Sequence, residues 1–567
     1  MKSCLESLST EILFEICDYL TTFDILRAFI DLNHWLDAVI SSYSIRLDFQ
    51  FVSRSKFDFI CRHIHPEQVI LLILSEKTIP DQVKLFTKYF PHFEHEFIRL
   101  KAIVLMDSTT ILSNVPSCVS SLSFKRCGSS LNKLIIETIA RQAKCLTHLR
   151  VTRSDTFLSV NASFHSLTHL TIRFCSLANL HWFIQRLGSS ITHLSIFIET
   201  NNQEEENVLP DNFEQLPRCL THLTLSFAED INISFDSLER CLIQLHQLTH
   251  LIVEATGTLD LLDGARWEKL ATRTQIEKFC YIMDMIDHYF NFRLNFARGT
   301  TCNCDEKSLL EPFRSPFWLE QKRWFVACHK QKWRHDNYLS IYTVPHFRPH
   351  SVQFPPSDYP PLSTAPAEIE QRIFYTSNID HLFCDVVRLN LLSVHCFTKV
   401  NSLTIVGSVL PSFDNLKFIV DFDRVQNLDI SGIDFLSANE FHNLVAHAGC
   451  LRHLTIKEFD PLLILPRHIY SLTIYRAVQS ASINLFCHLL SHVEHLAMTV
   501  ESKEIMIQLI DRLEHLETFS CSFSYKLPNL DDVSVKWLQQ NTRRLKTNNF
   551  TCRIGVERIY LSIGDNW

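Results

Sequence analysis

Glycine is scarce in this sequence, with ten residues among 567. Loops that bind nucleotide phosphates depend on closely spaced glycines, because a side chain would block the approach of the backbone to the phosphate. The patterns G-x-G-x-x-G, G-x-x-x-x-G-K-[ST] and G-x-S-x-G do not occur. The sequence therefore argues against a dinucleotide-binding domain, a P-loop NTPase and a serine hydrolase with a nucleophile elbow.

Long apolar runs are also missing. The clearest aliphatic run, VILLIL at 69–74, has six residues, whereas a membrane-spanning helix needs about 20. Glutamates interrupt the apolar residues of the N-terminal stretch MKSCLESLSTEILFEI, which is unlike a secretory signal peptide. We expect no membrane partner and a cytoplasmic and/or nuclear location. The 19 cysteines, an odd number at irregular spacing, are then expected to be free thiols in the core.

Clustered basic charge is a third absence. Lysine and arginine number 54 against 62 acidic residues, so the net charge is −8, and no basic stripe of the kind that binds nucleic acid stands out. The hydrophobic fraction of 46% is high enough to bury a large core. We therefore expect a globular protein that does not bind nucleic acid.

Diagnostic motifs for catalysis and metal binding are lacking as well. The segments HFEHE (92–96) and HVEH (492–495) match neither H-E-x-x-H nor H-x-x-E-H. A zinc site is suggested by the residues Cys302, Cys304, Cys328 and His329, but their spacing lacks the usual C-x₂₋₄-C knuckle. We expect no catalytic residue, no cofactor and no metal, and hence a protein that is not an enzyme.

One tetrapeptide recurs along the chain. LTHL stands at 146–149, 167–170, 220–223 and 248–251, and ITHL stands at 191–194. Each copy continues as L-x-x-L-x-apolar, and weaker copies follow at 400–405, 425–430, 451–456, 469–474 and 493–498. The last leucine of each tetrapeptide recurs at intervals of about 20–29 residues, which is the period of a structural repeat that stacks on its neighbours.

Helical patterns lie between many of these copies. Apolar residues recur near a spacing of 3.6, mostly behind an N-capping Ser or Asp, in the segments 130–146, 234–248, 437–451, 502–516 and 531–545. Each repeat is therefore predicted to form a strand, a turn and a helix. The chain resembles a leucine-rich-repeat solenoid, although Cys127 and Cys175 match the family's Asn or Cys position while Ser154, Glu199, Ala228 and Phe459 do not. We expect an irregular arc.

The third letter of the tetrapeptide is histidine in all five copies. In a strand whose leucines point inward, this position faces the concave surface of the solenoid. The column would consist of His148, His169, His193, His222 and His250, with Arg150, Thr171, Ser195, Thr224 and Ile252 in the next row. Two functional interpretations are a stripe that contacts a protein target and a pH-sensitive ladder. The alternative is that repeats were copied and histidine is merely tolerated there.

The first fifty residues contain no repeat and carry three short helical patterns. Ser9 is the expected N-cap of a helix over Thr10–Leu20, Phe23–Leu32 is predicted as the second helix, and Trp35 begins the apolar pattern of the third. A bundle of this size is small for an independent domain, so its exposed apolar face is expected to have a partner.

This stretch resembles the F-box. The family pattern is carried by Leu8, Glu11, Ile12, Leu13, Ile16, Tyr19, Leu20, Asp24, Ile25, Leu26 and Trp35, and Ser9 stands where the family usually has proline. The resemblance implies binding to the Skp adaptor, which bridges to the cullin–RING ligase. It assigns the adaptor contact to Leu8, Ser9, Ile12, Leu13, Ile16, Leu20 and Leu26. The alternative is an N-terminal helical cap that seals the solenoid.

The predicted organisation is α/β, with the three-helix F-box at 1–48, a leucine-rich-repeat-like arm at 66–256, an insertion at 257–395 and a second arm with its cap at 396–567. Within the insertion, the segment 315–331 is predicted to contain a strand, and the proline-rich segment 344–368 an exposed loop. An F-box followed by such repeats resembles the substrate receptors of cullin–RING ubiquitin ligases. The alternative function is a repeat scaffold whose helical cap binds no adaptor.

Overall fold

The computed structural model describes residues 8–112, 114–127, 131–199, 215–228, 231–257, 259–274, 290–296, 306–333, 336–344, 351–354, 362–366, 380–386, 397–478, 480–523, 533–547, 550–555 and 558–564. The cysteine pair Cys302 and Cys304 of the zinc hypothesis lies outside these residues, as does most of the predicted proline-rich loop.

Strands and helices alternate along most of the described chain. The strands are β1 Ile45–Asp48, β2 Val69–Ser75, β3 Ala102–Met106, β4 Ser121–Lys125, β5 His148–Arg153, β6 His169–Ser176, β7 His193–Glu199, β8 His222–Phe227, β9 Asn232–Ile233, β10 His250–Gly257, β11 Phe290–Phe296, β12 Phe325–Trp333, β13 Asp336–Val344, β14 Ser351–Phe354, β15 Leu362–Ser363, β16 His381–Asp385, β17 Ser402–Val409, β18 Asn427–Phe435, β19 His453–Ile456, β20 Ser471–Ile474, β21 His495–Val500, β22 Thr518–Phe523, β23 Phe550–Ile554 and β24 Arg558–Ile563.

The helices are short, and none in the described part of the chain is long and apolar enough to cross a bilayer. They are α1 Thr10–Asp18, α2 Thr22–Phe29, α3 His34–Ser42, α4 Arg54–His63, α5 Gln82–Tyr89, α6 Phe93–Glu96, α7 Asn132–Gln142, α8 Ser154–Leu158, α9 Leu177–Arg186, α10 Phe235–Leu242, α11 Gly264–Arg273, α12 Glu306–Leu310, α13 Phe413–Leu416, α14 Ala438–His447, α15 Ile483–Leu489, α16 Lys503–Arg512 and α17 Val535–Asn541.

The chain divides into two compact units. The first contains Met1–Arg173, Leu516–Cys521 and Pro528–Trp567, and the second contains Phe174–His515 and Ser522–Leu527. The first boundary between them falls within β6, inside the segment predicted as the first arm. Residues from the end of the chain belong to the same unit as residues from its beginning, a grouping that the sequence pattern did not indicate.

In the first unit, five parallel strands form a sheet in the order β1–β2–β3–β4–β5. The buried residues Leu72, Ile103, Leu122 and Leu149 are register partners on four successive strands. Helix α4 contacts β24 near the C-terminus, and the Ser55 hydroxyl donates to Glu517 Oε1 at 3.3 Å. Repeat stacking thus builds one continuous core in this unit.

In the second unit, β7, β8, β10 and β11 are parallel, and β11, β13, β12 and β15 continue the sheet in antiparallel fashion. A second parallel sheet has the order β14–β16–β17–β18–β19–β20–β21. The predicted α/β class with parallel strands and intervening helices is confirmed by these sheets.

The predicted helices between repeats are present and shorter than the patterns suggested. Helices α7, α10, α14, α16 and α17 fall inside the five predicted segments. Three of them begin behind a serine whose hydroxyl accepts a backbone N–H, at Ser234, Ser502 and Ser534. The segments overestimate length because their last apolar residue belongs to the turn that precedes the next strand.

The middle region differs from its prediction in two places. Trp318 was expected in a strand, but Phe317–Gln321 is a helical turn and the strand begins only at Phe325. Trp318 and Trp324 are fully buried against each other, with ring centroids 5.8 Å apart. The segment 344–368 was expected to be a loop, but Ser351–Phe354 forms β14 and pairs with β16. The region therefore extends both sheets of the second unit.

Candidate functional site

The three N-terminal helices form a small bundle with its own core. Buried side chains from all three helices meet there, namely Leu13, Cys17, Ile25, Phe29, Leu36, Val39 and Ile40. Thr21 caps α2 by accepting the backbone N–H of Asp24 at 3.2 Å, and Asn33 caps α3 by accepting that of Leu36 at 2.9 Å. Ser9 occupies the N-cap position of α1, but its side chain makes no capping hydrogen bond.

Hydrogen bonds fix the bundle on the first repeats. The buried Gln68 donates from Nε2 to the carbonyl of Ile40 at 3.0 Å, and the Thr22 hydroxyl donates to the carbonyl of Arg46 at 3.1 Å. Inside the bundle, the Tyr43 hydroxyl donates to Asp18 Oδ1 at 2.6 Å, and burial followed by this bond raises the pKa of Tyr43. The helices are therefore held in place on the sheet of the first unit.

The seven residues assigned to an adaptor contact divide into three groups. Ser9, Ile12 and Leu20 are exposed, and Leu8 and Ile16 are half-buried against the bundle core. Leu13 and Leu26 were expected in the contact as well, but each is only 2% exposed. Leu13 faces the bundle core, and Leu26 belongs to α2, which packs on α4 and β1. These two leucines therefore stabilise the helices and do not contribute to their exposed surface.

Sequence reasoning missed part of the exposed apolar surface. The exposed large apolar side chains of the bundle are Ile12, Tyr19, Leu20, Leu32 and Trp35, which we call the N-terminal surface. Leu32 had been placed with the apolar residues of the second helix, but that helix ends at Phe29 and leaves the Leu32 side chain 60% exposed. A surface of this kind is typical of a protein-binding site.

The predicted histidine column is present as stacked rings in each unit. In the first unit, His148 and His169 lie with ring centroids 4.0 Å apart and planes inclined by 17°. In the second unit, His222 stacks on His193 at 3.9 Å and on His250 at 3.8 Å. Because the rings are nearly parallel, neighbouring ring nitrogens point in the same direction and do not converge on one point as a tetrahedral metal site requires.

The threonine before each histidine orients its ring. The Thr221 hydroxyl donates to the carbonyl of Thr192 on the preceding strand at 3.1 Å. Its oxygen also lies 2.9 Å from Nδ1 of His222, and since the hydroxyl proton is already donated, Nδ1 must carry the proton of that bond. The same pair of contacts recurs at Thr147–His148, Thr168–His169 and Thr249–His250, with distances to the carbonyl of 3.2, 3.1 and 3.0 Å and to Nδ1 of 2.8, 2.8 and 2.7 Å.

The recurrence of THL follows from these contacts. Threonine ties each strand to the carbonyl of the strand before it, histidine stacks on a neighbouring histidine, and leucine fills the core. The structure thus gives the histidines a packing role on the open face of the sheet. Their assignment to target binding stays a prediction.

A second aromatic group, which the sequence analysis did not single out, lies in the second sheet of the second unit. The ring of Tyr470 meets His453 at 5.5 Å and His495 at 5.7 Å, both edge to face. Burial lowers the pKa of His453, and burial followed by the nearby Glu494 raises the pKa of Tyr470. The weaker copies LRHL and VEHL carried these histidines, and Ser471 is the register partner of both.

Acid is expected to destabilise the fold through two histidines that neighbouring residues partly shield from water. Burial lowers the pKa of His148 and of His453. The unfolded chain therefore binds protons at these side chains more readily than the folded protein does. Such a group stabilises the fold above the unfolded pKa of about 6.5, and this contribution is lost as the pH falls below that value. The melting temperature should therefore be lower at pH 5.5 than at pH 7.5.

A variant isolates this effect. His148→Gln/His453→Gln removes both titrating rings, so the difference in melting temperature between pH 7.5 and pH 5.5 should shrink. An equal difference in the variant and the unaltered protein would show that other groups cause the acid sensitivity.

Comparison with known proteins adds no relative to these observations. The sequence matches no model of a known protein family, and a search of curated proteins finds no significant match.

Proposed function

We propose that this protein is the substrate-recognition subunit of a Skp–cullin–F-box ubiquitin ligase. In this proposal the N-terminal bundle is an F-box that binds the Skp adaptor, and the repeats are of the leucine-rich type and hold a protein target. The observation that carries the proposal is the N-terminal surface, where apolar side chains stay exposed on helices that already possess a packed core. An apolar helix face of this kind is suited to burial against a partner helix or groove.

The rigid attachment of the bundle supports this role. A receptor accelerates ubiquitin transfer by holding a target lysine near the conjugating enzyme, which raises its effective concentration. That effect depends on a fixed geometry between the adaptor contact and the target contact. The hydrogen bonds from Gln68 to Ile40 and from Thr22 to Arg46 provide such a connection within the first unit.

Ser9 is the main departure from the F-box pattern. The family usually has proline there, and proline favours the first turn of a helix. Here α1 begins at Thr10 without proline, and the N–H of Leu13 donates to the Ser9 carbonyl at 3.2 Å. The helix start is thus retained with serine, which supports an adaptor contact through the side chains of Ile12 and Leu20.

Reconstitution of the ligase tests the proposal. The purified protein, the Skp adaptor and a cullin–RING pair are mixed at equal concentrations and separated by size-exclusion chromatography. Co-elution of all components in one complex is the expected result. Separate elution of a folded protein would contradict the receptor function and favour the alternative, a repeat scaffold with a helical cap.

A further inference from the structure

The open face of strands β4 and β5 in the first unit carries closely spaced cations. Ser123 of β4 is the register partner of Arg150 of β5. Along both strands, buried apolar residues alternate with residues that are half-exposed or exposed. The open face therefore displays Ser121, Ser123 and Lys125 from β4 and His148, Arg150 and Thr152 from β5.

The two cations of this face, Lys125 and Arg150, form no ion pair in the described part of the chain. Arg126, by contrast, pairs with Asp107 at 2.8 Å. The pKa of Lys125 is lowered, first by burial and then by Arg150 and Arg126, while Asp48 acts in the opposite direction. The two cations therefore repel each other, and an anionic ligand would relieve that repulsion.

The hydroxyl of Ser123, opposite Arg150 and two residues before Lys125, favours the same ligand. Ser123 Oγ is buried without a hydrogen-bond partner in the described structure. An unmade hydrogen bond in a buried position costs free energy, which rotation of the Ser123 side chain toward an acceptor on the open face would recover. A carboxylate held by Lys125 and Arg150 would bring such an acceptor to this face.

The spacing favours an extended peptide as the source of the carboxylates. Parallel strands lie about 4.8 Å apart and alternate residues of one strand about 6.6 Å apart, so Lys125 and Arg150 are on the order of 8 Å apart along the diagonal. Alternate side chains of an extended peptide are separated by about 7 Å. Two acidic residues with one residue between them match this separation.

We infer that the open face of β4 and β5 binds an acidic peptide segment of a protein target, with acidic side chains at alternate positions placed against Lys125 and Arg150. This inference rests on the proposed function for the presence of a target. It adds the chemical class of the segment and the residues that select it.

Fluorescence anisotropy at low ionic strength provides the test. The probe is a labelled twelve-residue peptide with glutamate at three alternate positions among alanine and serine, compared with the same peptide carrying glutamine. The unaltered full-length protein should bind the glutamate peptide at least tenfold more tightly than the glutamine peptide. Added salt should weaken the binding of the glutamate peptide, since surface charges are screened.

Two charge-matched variants make the result specific. Lys125→Gln/Arg150→Gln should weaken binding of the glutamate peptide at least tenfold. The control Lys133→Gln/Lys144→Gln removes the same charge from exposed lysines in α7 and the turn after it, and should change affinity less than threefold. Equal losses in both variants, or no loss in either, would overturn the inference.

Adaptor binding in the same preparations separates this inference from the proposed function. The Lys125→Gln/Arg150→Gln protein should bind the Skp adaptor as the unaltered protein does. If the unaltered protein binds the adaptor but does not prefer the glutamate peptide over the glutamine peptide, the inference alone is overturned. Peptide binding by a protein that never binds the adaptor would overturn the proposed function and leave the peptide site in place.

Discussion

Replacing Leu223 with alanine is expected to lower the free energy of unfolding by about 2–5 kcal/mol. Leu223 is 1% exposed and is the register partner of Leu194 on one side and Leu251 on the other. The truncated side chain would leave a cavity in a row of leucines that continues from strand to strand. Because the neighbours are themselves packed in register, they have little freedom to close that cavity.

The matched control for Leu223→Ala is Ile252→Ala on the neighbouring strand. Ile252 is half-exposed on the open face and pairs with Thr224, so its truncation should cost about 1 kcal/mol or less. Urea unfolding followed by circular dichroism measures both changes. Equal destabilisation by the two variants would contradict the assignment of leucine to the core and of the alternate residue to the open face.

Replacing Gly264 with alanine is expected to destabilise the second unit by about 3 kcal/mol. A Cβ atom at Gly264 would overlap the carbonyl oxygen of Pro312 and would lie 2.6 Å from its carbonyl carbon. These are backbone atoms, so no side chain can rotate away from the clash. The carbonyl of Gly264 also accepts the indole N–H of the buried Trp318 at 3.2 Å, so a shift of α11 would disturb this contact.

Gly449→Ala is the control for this clash. A Cβ atom at Gly449 meets no atom within 4 Å, so the substitution should be neutral or slightly stabilising. Melting temperatures of the two single variants, recorded at one scan rate, provide the measurement. A Gly264→Ala protein as stable as the Gly449→Ala protein would contradict the close packing of α11 against the turn at Pro312.

The repeat architecture could be predicted because its signal is local and recurs. The apolar letters of LTHL, the strand that follows and the helix behind a capping serine all depend on residues close in sequence. The role of the threonine could not be predicted in this way. The Thr221 hydroxyl donates to a carbonyl that lies 29 residues earlier in the chain, and this contact exists only once the strands are stacked.

Local sequence patterns were also insufficient to predict which residues form the N-terminal surface. The F-box resemblance assigned Ile12, Leu13, Ile16 and Leu20 alike to the adaptor contact, and the apolar periodicity of α1 does not tell which of them turn inward. Packing of α1 against α2 and α3 buries Leu13 and leaves Ile12 exposed. Leu26 lies on α2, which contacts α4 and β1. Both elements begin about twenty residues or more after Leu26, so its burial could not be predicted from the local sequence.

Long-range pairings in the middle and at the end of the chain had no local signal. Strand β14 has its partner in β16, about thirty residues later and beyond the proline-rich segment, so composition alone indicated a loop. The contact between Ser55 and Glu517 joins residues 462 positions apart. Neither pairing changes the apolar periodicity of the segments involved, and for this reason periodicity could not reveal them.

The proposed function requires that the N-terminal surface binds the Skp adaptor, and a calorimetric titration of the purified protein with that adaptor measures this binding. The comparison uses Ile12→Asp/Leu20→Asp and a control, Leu134→Asp, because the side chain of Leu134 on α7 is 46% exposed and that of Ile12 is 45% exposed. All three proteins should be folded by circular dichroism.

We predict saturable binding by the unaltered protein, since a few large apolar side chains dominate interfaces of this type. The Ile12→Asp/Leu20→Asp protein should bind at least 100-fold more weakly, whereas Leu134→Asp should change the affinity less than threefold. Absence of binding by the folded unaltered protein at tens of micromolar, or equal affinities for all three proteins, would contradict adaptor binding through the N-terminal surface.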